Sequence, residues 1–238
     1  MLRAIDKAAV WDGSRATAAQ PSLGRRVVAE GIGTAFLLAT IVGSGIAGER
    51  LSGGNAAIAL LANSTATGAG LVALILAFGS ISGAHFNPLV TLVDVVRGRA
   101  ARDLVPYAAA QVAGALAGVA AAEAMFGAGI FEISTKARSG FPLLFAEGVA
   151  TFGLLVVAFL ASRRSIEAAA VGVGFYIAAA YWFTSSTSFA NPAVTLARSL
   201  TNTFTGIRPA DVPGFLVGQF GGTAAFVLVV RRLQPKER

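Results

Sequence analysis

The sequence predicts an all-α membrane protein in which six transmembrane helices and two re-entrant half-helices form an inverted repeat. Three observations lead to this prediction. Of the 238 residues, 55% are hydrophobic and only 13% are charged, whereas soluble domains carry roughly 25% charged residues. Six apolar runs are long enough, or nearly so, to cross a bilayer. The frame N-P-x-V-T-L occurs once in each half of the chain.

The six apolar runs are the candidate spans, because a transmembrane helix needs about twenty predominantly apolar residues. They cover residues 27–47, 56–79, 104–125, 143–161, 168–183 and 212–230. Two further segments, 87–96 and 191–200, are too short to cross, and each begins with Asn-Pro. Residues 1–24 are polar, which predicts an N-terminal tail instead of a signal peptide, and residues 232–238 form a second predicted tail.

The distribution of basic residues predicts the orientation. If both termini are cytoplasmic, only five of the 19 Lys and Arg residues fall in outer segments, namely Arg50, Lys136, Arg138, Arg198 and Arg208. Cytoplasmic loops of membrane proteins are enriched in Lys and Arg. We therefore expect an integral membrane protein with both termini cytoplasmic. The Gly- and Ala-rich composition predicts a bacterial inner membrane as its location. The basic residues form no stripe interleaved with aromatics, so nucleic acid is not an expected partner.

The channel domain predicted over residues 25–231 consists of two related halves, about 25–127 and 140–231. The stretch AEGIGTAFLL at 29–38 matches AEGVATFGLL at 146–155. Each half contains three spans, an odd number, so the second half must enter the membrane from the opposite side. Inverted repeats of this kind place their functional site near the bilayer midplane.

The two Asn-Pro segments predict helices that begin inside the membrane. Asn is a strong N-cap residue and Pro suits the first helical position. An ordinary capped helix is the alternative, but two copies in inverted halves favour half-helices that meet end to end. Each N-terminus carries about half a positive charge, and the amides of Asn87 and Asn191 would donate to a passing oxygen. Such a centre would oppose protons and cations while admitting neutral polar molecules.

These motifs resemble those of the aquaporins, the major intrinsic protein family. The resemblance covers about residues 27–231 and rests on SGAHFNP, on A-E-G at the start of both repeats and on the paired boxes. It implies an hourglass fold, a pore in each subunit and a homotetramer in a lipid bilayer. Leu89 stands where the family usually has Ala. The two boxes comprise Asn87, Pro88, Leu89, Asn191, Pro192 and Ala193.

The resemblance also implies a selectivity filter of four residues, Thr67, Ala179, Ser188 and Val194. The family usually has Arg directly after the second box, where this chain has Val194. An uncharged filter without aromatic rings predicts a wide pore for water, glycerol, urea or metalloid acids such as arsenous acid, and a bacterial branch associated with arsenic resistance has a similar pattern. A water-selective aquaporin is the alternative. A one-residue shift in the loop would place Phe189 in the filter instead of Ser188.

Glu30 and Glu147 lie inside predicted spans, where ionisable residues are functional candidates. Their symmetric placement favours what the resemblance implies, buried brackets that accept backbone N–H bonds from the re-entrant loops, over the relays of a proton-coupled transporter. His85 is expected to pack in its loop or to line the backbone carbonyls there, since no second metal ligand is near in sequence. Arg198 follows Val194 by one helical turn, about 6 Å further out, which predicts a place at the outer mouth; a cap or phospholipid contact is the alternative. We expect neither an enzyme nor a cofactor.

Overall fold

The computed structural model describes residues 21–233, with side chains to Val230, and this part of the chain is helical and without strands. Six long helices are apolar enough to cross a membrane by length and composition, which confirms the predicted fold class. The helices are α1 Leu23–Leu51, α2 Ala56–Ser82, α3 Pro88–Val96, α4 Leu104–Met125, α5 Phe141–Ala161, α6 Ile166–Phe183, α7 Pro192–Arg198 and α8 Val212–Leu233.

The helices at the two ends of the domain are longer than the apolar pattern predicts. The first one begins at Leu23 because the side chain of Ser22 caps it, accepting a hydrogen bond from the backbone N–H of Arg25 at 3.4 Å. Leu23 and Gly24 are therefore helical and do not belong to the predicted tail. The last helix likewise extends to Leu233. The rest of the two predicted tails, residues 1–20 and 234–238, lies outside the described residues.

Equivalent helix pairs of the two halves pack through equivalent glycines. A Cβ added to Gly114 on α4 would lie 2.2 Å from the carbonyl oxygen of Gly31 on α1. A Cβ added to Gly222 on α8 would lie 2.2 Å from the carbonyl oxygen of Gly148 on α5. Small residues allow such close approach, which replaces the hydrophobic driving force that lipid does not supply. Helices α2 and α6 join the halves to each other.

The short helices α3 and α7 begin at the centre of the molecule. Asn87 caps α3 by accepting a hydrogen bond from the N–H of Leu89, and Asn191 caps α7 through the N–H of Ala193. With 9 and 7 residues, they are about 14 and 10 Å long, roughly half the thickness of the hydrocarbon core or less. Neither crosses the membrane by itself.

Candidate functional site

The two half-helix N-termini are joined by reciprocal hydrogen bonds between the asparagine boxes. Asn87 Nδ2 donates to the carbonyl oxygen of Ala190 at 2.8 Å, and Asn191 Nδ2 donates to that of Phe86 at 2.7 Å. Each amide thus binds the loop of the other half. Since a carboxamide has two N–H groups, each asparagine has a second donor for a molecule at the junction.

A buried carboxylate holds each of the loops that precede the boxes. Glu30 accepts from the backbone N–H groups of His85 at 3.0 Å and Phe86 at 2.7 Å. Glu147 accepts from those of Phe189 at 2.9 Å and Ala190 at 2.8 Å. In both cases each carboxylate oxygen takes one of the two hydrogen bonds. This is the geometry of a bracket.

A glutamine and a threonine complete each bracket, and the sequence prediction did not include them among the site residues. Gln111 Nε2 donates to the carboxylate of its own half at 2.8 Å and to Thr91 Oγ1 at 3.1 Å. Gln219 Nε2 donates in the same way to the Glu147 carboxylate at 2.6 Å and to Thr195 Oγ1 at 2.8 Å. The repeated threonine of N-P-x-V-T-L was the signal that could have identified them.

The bracketed loops hold a strained backbone at matching places. Ala84 and Ser188, three residues before their asparagines, have φ of 49° and 50°. Phe86 and Ala190, one residue before, have φ of 50° and 48°. Non-glycine residues in this region cost on the order of 1–3 kcal/mol each and persist only where the surroundings enforce them. The carboxylate and asparagine hydrogen bonds provide that enforcement.

His85 packs among polar side chains beside the first box. Its Nδ1 lies 3.0 Å from Thr91 Oγ1 and its Nε2 lies 3.4 Å from Asp94 Oδ2. Arg99 also binds Asp94. Within residues 21–233, no group of His, Asp and Glu side chains could hold a metal ion.

A cavity passes the junction of the half-helices, and its lining is chemically mixed. Many of the lining side chains are apolar, among them Leu37, Ile41, Leu71, Ile75, Leu154, Ala158, Ala169, Val173 and Ile177. Polar groups come from Thr67, His85, Asn87, Tyr181, Ser188, Asn191 and Arg198. Leu89 is buried and does not line the cavity. A molecule in this cavity therefore meets both hydrogen-bonding groups and hydrocarbon.

Three of the four predicted filter residues line this cavity, namely Thr67, Ser188 and Val194. Ala179 does not: it lies on the exposed face of α6, and the structure corrects this expectation. Tyr181 lines the cavity instead, and its hydroxyl lies 3.3 Å from Thr67 Oγ1. Two residues turn a helix by about 200°, so a position counted across the loop fell on the wrong face. The lining is therefore not free of aromatic rings.

Arg198 and Phe189 form a stacked pair at the Val194 end of the cavity. The guanidinium carbon lies 3.4 Å from the centroid of the Phe189 ring, and both side chains line the cavity. Arg198 is only 1% exposed, and its Nε donates to the carbonyl oxygen of Thr205. Such burial excludes the surface cap or phospholipid contact considered for this residue. The lining therefore carries a charged side chain outside the four predicted filter positions.

Two half-helices that meet at reciprocal asparagine caps, braced by paired carboxylates beside a cavity, define a membrane channel of the inverted-repeat class. The chain belongs to the major intrinsic protein family, because the sequence model of that family matches residues 17–164. The match and the fold together support a channel for water and small neutral solutes.

Individual relatives agree with this assignment. The chain is 52% identical over 215 residues to Aquaglyceroporin AqpS of Rhizobium meliloti (strain 1021), covering 90% of this chain and 92% of the relative. It is 34% identical over 214 residues to Aquaporin NIP1-3 of Oryza sativa subsp. japonica, covering 86% and 73%. The X-ray structure of the aquaglyceroporin from Plasmodium falciparum superposes with a TM-score of 0.65 at 19% identity, covering 88% and 95%. That similarity concerns the fold alone.

Proposed function

We propose that the protein is a passive channel for water and for larger neutral solutes such as glycerol, urea and undissociated metalloid acids. The observation that carries this proposal is Val194, a small uncharged side chain that lines the cavity directly after the second box. Valine leaves the space that a guanidinium would fill at that position. A relative that is 52% identical bears the name aquaglyceroporin, which supports a solute larger than water.

The mixed lining of the cavity supports a solute that has both polar and carbon groups. Hydroxyl groups of a polyol would bind the polar groups of Thr67, Tyr181 and the asparagine boxes. The carbon chain would lie against the leucines and isoleucines of the lining, where it leaves no polar group without a partner.

Proton exclusion follows from the same junction. Two helix N-termini, each with about half a positive charge, face one point, and each asparagine retains an N–H donor there. A water molecule that accepts from both asparagines cannot at the same time accept a proton along a hydrogen-bonded chain. The two glutamates are occupied by backbone N–H groups, which favours passive conduction over the alternative of a proton-coupled transporter.

Tyr181 favours a second candidate, a water-selective aquaporin. Its hydroxyl lies 3.3 Å from Thr67 Oγ1 across the lining, so the aromatic ring narrows the pore on this side. The two candidate functions differ in the width of the pore, because both kinds of channel have the same carboxylate brackets and Asn-Pro boxes.

The assembly and orientation are part of the same proposal. We infer a homotetramer from the family, with one pore in each subunit. The excess of Lys and Arg in inner segments favours cytoplasmic termini. The bacterial relative that is 52% identical supports a bacterial inner membrane as the location.

Stopped-flow light scattering on proteoliposomes tests the function. Water, glycerol, urea and arsenous acid would be compared with empty liposomes, with and without a proton gradient. We expect flux of all four solutes, unchanged by the gradient. Flux of water alone would favour the water-selective pore, and dependence on the gradient would favour a coupled transporter.

A further inference from the structure

We propose that Arg198 supplies the fixed positive charge that position 194 lacks: it excludes cations from the pore and donates hydrogen bonds to acceptor oxygens of the passing solute. The solutes it favours are therefore neutral molecules with hydroxyl or carbonyl oxygens, and protonated amines are rejected. This inference rests on the proposed function only in assuming a conducting pore, whichever neutral solute it carries.

The guanidinium of Arg198 is buried, yet most of its donors have no protein acceptor. Only Nε is hydrogen-bonded to a described residue, the carbonyl oxygen of Thr205. The terminal nitrogens carry four further N–H groups, for which residues 21–233 provide no hydrogen-bonding partner. The residue is 1% exposed and lines the cavity, so these donors are available to a molecule inside the cavity and to little else.

Three contacts keep the guanidinium in place. Nε is bound to Thr205, and the Phe189 ring lies against the guanidinium carbon at 3.4 Å, a favourable cation–π contact. Arg198 is also the last residue of α7, where the carbonyl end of a helix favours a cation. A charge fixed in this way acts on the pore at every passage, whereas a mobile side chain would move aside.

No acidic side chain of the described lining compensates this charge. Among the lining residues within 21–233, Arg198 is the only one of the types Asp, Glu, Lys and Arg. Glu147 is close enough to interact electrostatically, but its oxygens accept from Phe189, Ala190 and Gln219 instead of pairing with Arg198. In surroundings of low dielectric constant a charge without an ion-pair partner repels a like charge strongly at close range. A permeating cation would lose its water and gain no counter-charge, while a neutral oxygen would gain a charge-assisted donor.

A second arginine nearby serves as a matched control. The guanidinium carbon of Arg138 lies 5.3 Å from the centroid of the same Phe189 ring. Its Nε donates to the carbonyl oxygen of Gly206 at 2.8 Å, and it does not line the cavity. Charge at Arg138 is therefore separated from the pathway, although its contacts resemble those of Arg198.

The experiment measures methylammonium and glycerol uptake by proteoliposomes containing the wild type, Arg198→Gln, Arg198→Lys, Arg138→Gln or the double variant Val194→Arg/Arg198→Gln. Glutamine keeps a donor for Thr205 but removes the charge. We expect Arg198→Gln to raise the ratio of methylammonium to glycerol uptake at least about tenfold, the effect of one charged interaction. Arg198→Lys and Arg138→Gln should keep the wild-type ratio. The double variant should return methylammonium uptake to the wild-type level; its glycerol uptake is not compared, because an arginine at position 194 narrows the pore for glycerol.

Three results would overturn the proposal: an unchanged ratio in Arg198→Gln, a raised methylammonium uptake that Val194→Arg does not lower, or an equal rise of the ratio in Arg138→Gln. The last two would indicate a loosened structure instead of a lost charge. If Arg198→Gln is not recovered as folded protein, Arg198→Met takes its place, because it keeps an unbranched side chain of similar length without the charge. It should raise the ratio in the same way, and an unchanged ratio in Arg198→Met would overturn the proposal. Failure of the proposed function would give a different result, because the wild type itself would then take up no glycerol.

Discussion

Glu30 and Glu147 occupy equivalent places in the two halves, and each accepts two backbone hydrogen bonds of 2.7 to 3.0 Å from the loop before its own Asn-Pro box. Both side chains are fully buried. Their positions in sequence would suit a proton relay, but their oxygens are already bound. We therefore expect their replacement to affect the fold before it affects any ion coupling.

Replacing Glu147 with Gln should destabilise the protein. The amide of Gln offers one acceptor oxygen and an N–H₂ group, which would face the N–H donors of the loop at Phe189 and Ala190. A buried donor without an acceptor costs on the order of 1–3 kcal/mol. We expect Glu147→Gln to lower the free energy of unfolding in detergent by about that amount.

Glu49→Gln is the control, because Glu49 is exposed and its pair with Lys136 spans 3.8 Å. This control variant should change the free energy of unfolding by less than about 1 kcal/mol. Equal stability of the two variants would contradict the bracket.

Replacing Val194 with Arg should narrow the pore. The long side chain would enter the cavity between Asn191 and Arg198, one turn before Arg198, with a small like-charge cost of a few tenths of a kcal/mol. We expect glycerol permeability to fall at least about tenfold, with water permeability retained, in stopped-flow measurements. Val194→Met, which adds bulk without charge, should reduce glycerol permeability less. Glycerol flux at the wild-type rate through Val194→Arg would show that another residue sets the pore width.

Replacing Asn191 with Ala should open the junction of the half-helices. The variant loses the cap of α7 and leaves the carbonyl oxygen of Phe86 without its partner. Loss of a cap costs about 1 kcal/mol, and the orphaned carbonyl adds on the order of 1–3 kcal/mol. Asn55→Ala removes a comparable cap from α2, whose bonds run to Ala57 and Ile58. Both variants should be less stable, but only Asn191→Ala should alter water flux and proton leak; parallel changes in flux would refute the assignment.

Adjacent glycines on α8 should respond oppositely to alanine. A Cβ at Gly222 would lie 2.2 Å from the Gly148 carbonyl oxygen, whereas one at Gly221 has nothing within 4 Å. We expect Gly222→Ala to cost about 1–3 kcal/mol through overpacking. Gly221→Ala should be neutral or gain up to about 1 kcal/mol from helix propensity. Thermal unfolding of both variants in the same detergent checks this, and a destabilised Gly221→Ala would mean that the α5–α8 contact is not the cause.

The features that recur in both halves were predictable from sequence, because two copies of a motif indicate the same local structure independently. Asn87 and Asn191 cap helices α3 and α7, as the motif indicates. The six spans were predictable from length and polarity, which lipid demands of any helix that crosses it. The ends of the spans were less predictable. Ser22 extends α1 through a single side-chain hydrogen bond, and the apolar pattern gives no indication of it.

The lining of the cavity was only partly predictable, because it depends on helix phase and on long-range stacking. Counting from Asn191 identified Ala179, yet the loop between them does not fix how α6 is rotated, and Tyr181 lines the cavity instead. Helical spacing did place Arg198 on the same face as Val194. Its burial on the Phe189 ring depends on the loop conformation at Thr205, which no local pattern specifies.

The reciprocal asparagine bonds also govern how this protein can be made. Asn87 must find a carbonyl 103 residues later in the chain, and Asn191 one 105 residues earlier. At a synthesis rate of 5–20 residues per second, the first half would wait roughly 5–20 s in the bilayer with its central donor unmatched. Because each box is completed by a carbonyl oxygen of the other half, two separately synthesised fragments should become functional only when both are present in one membrane.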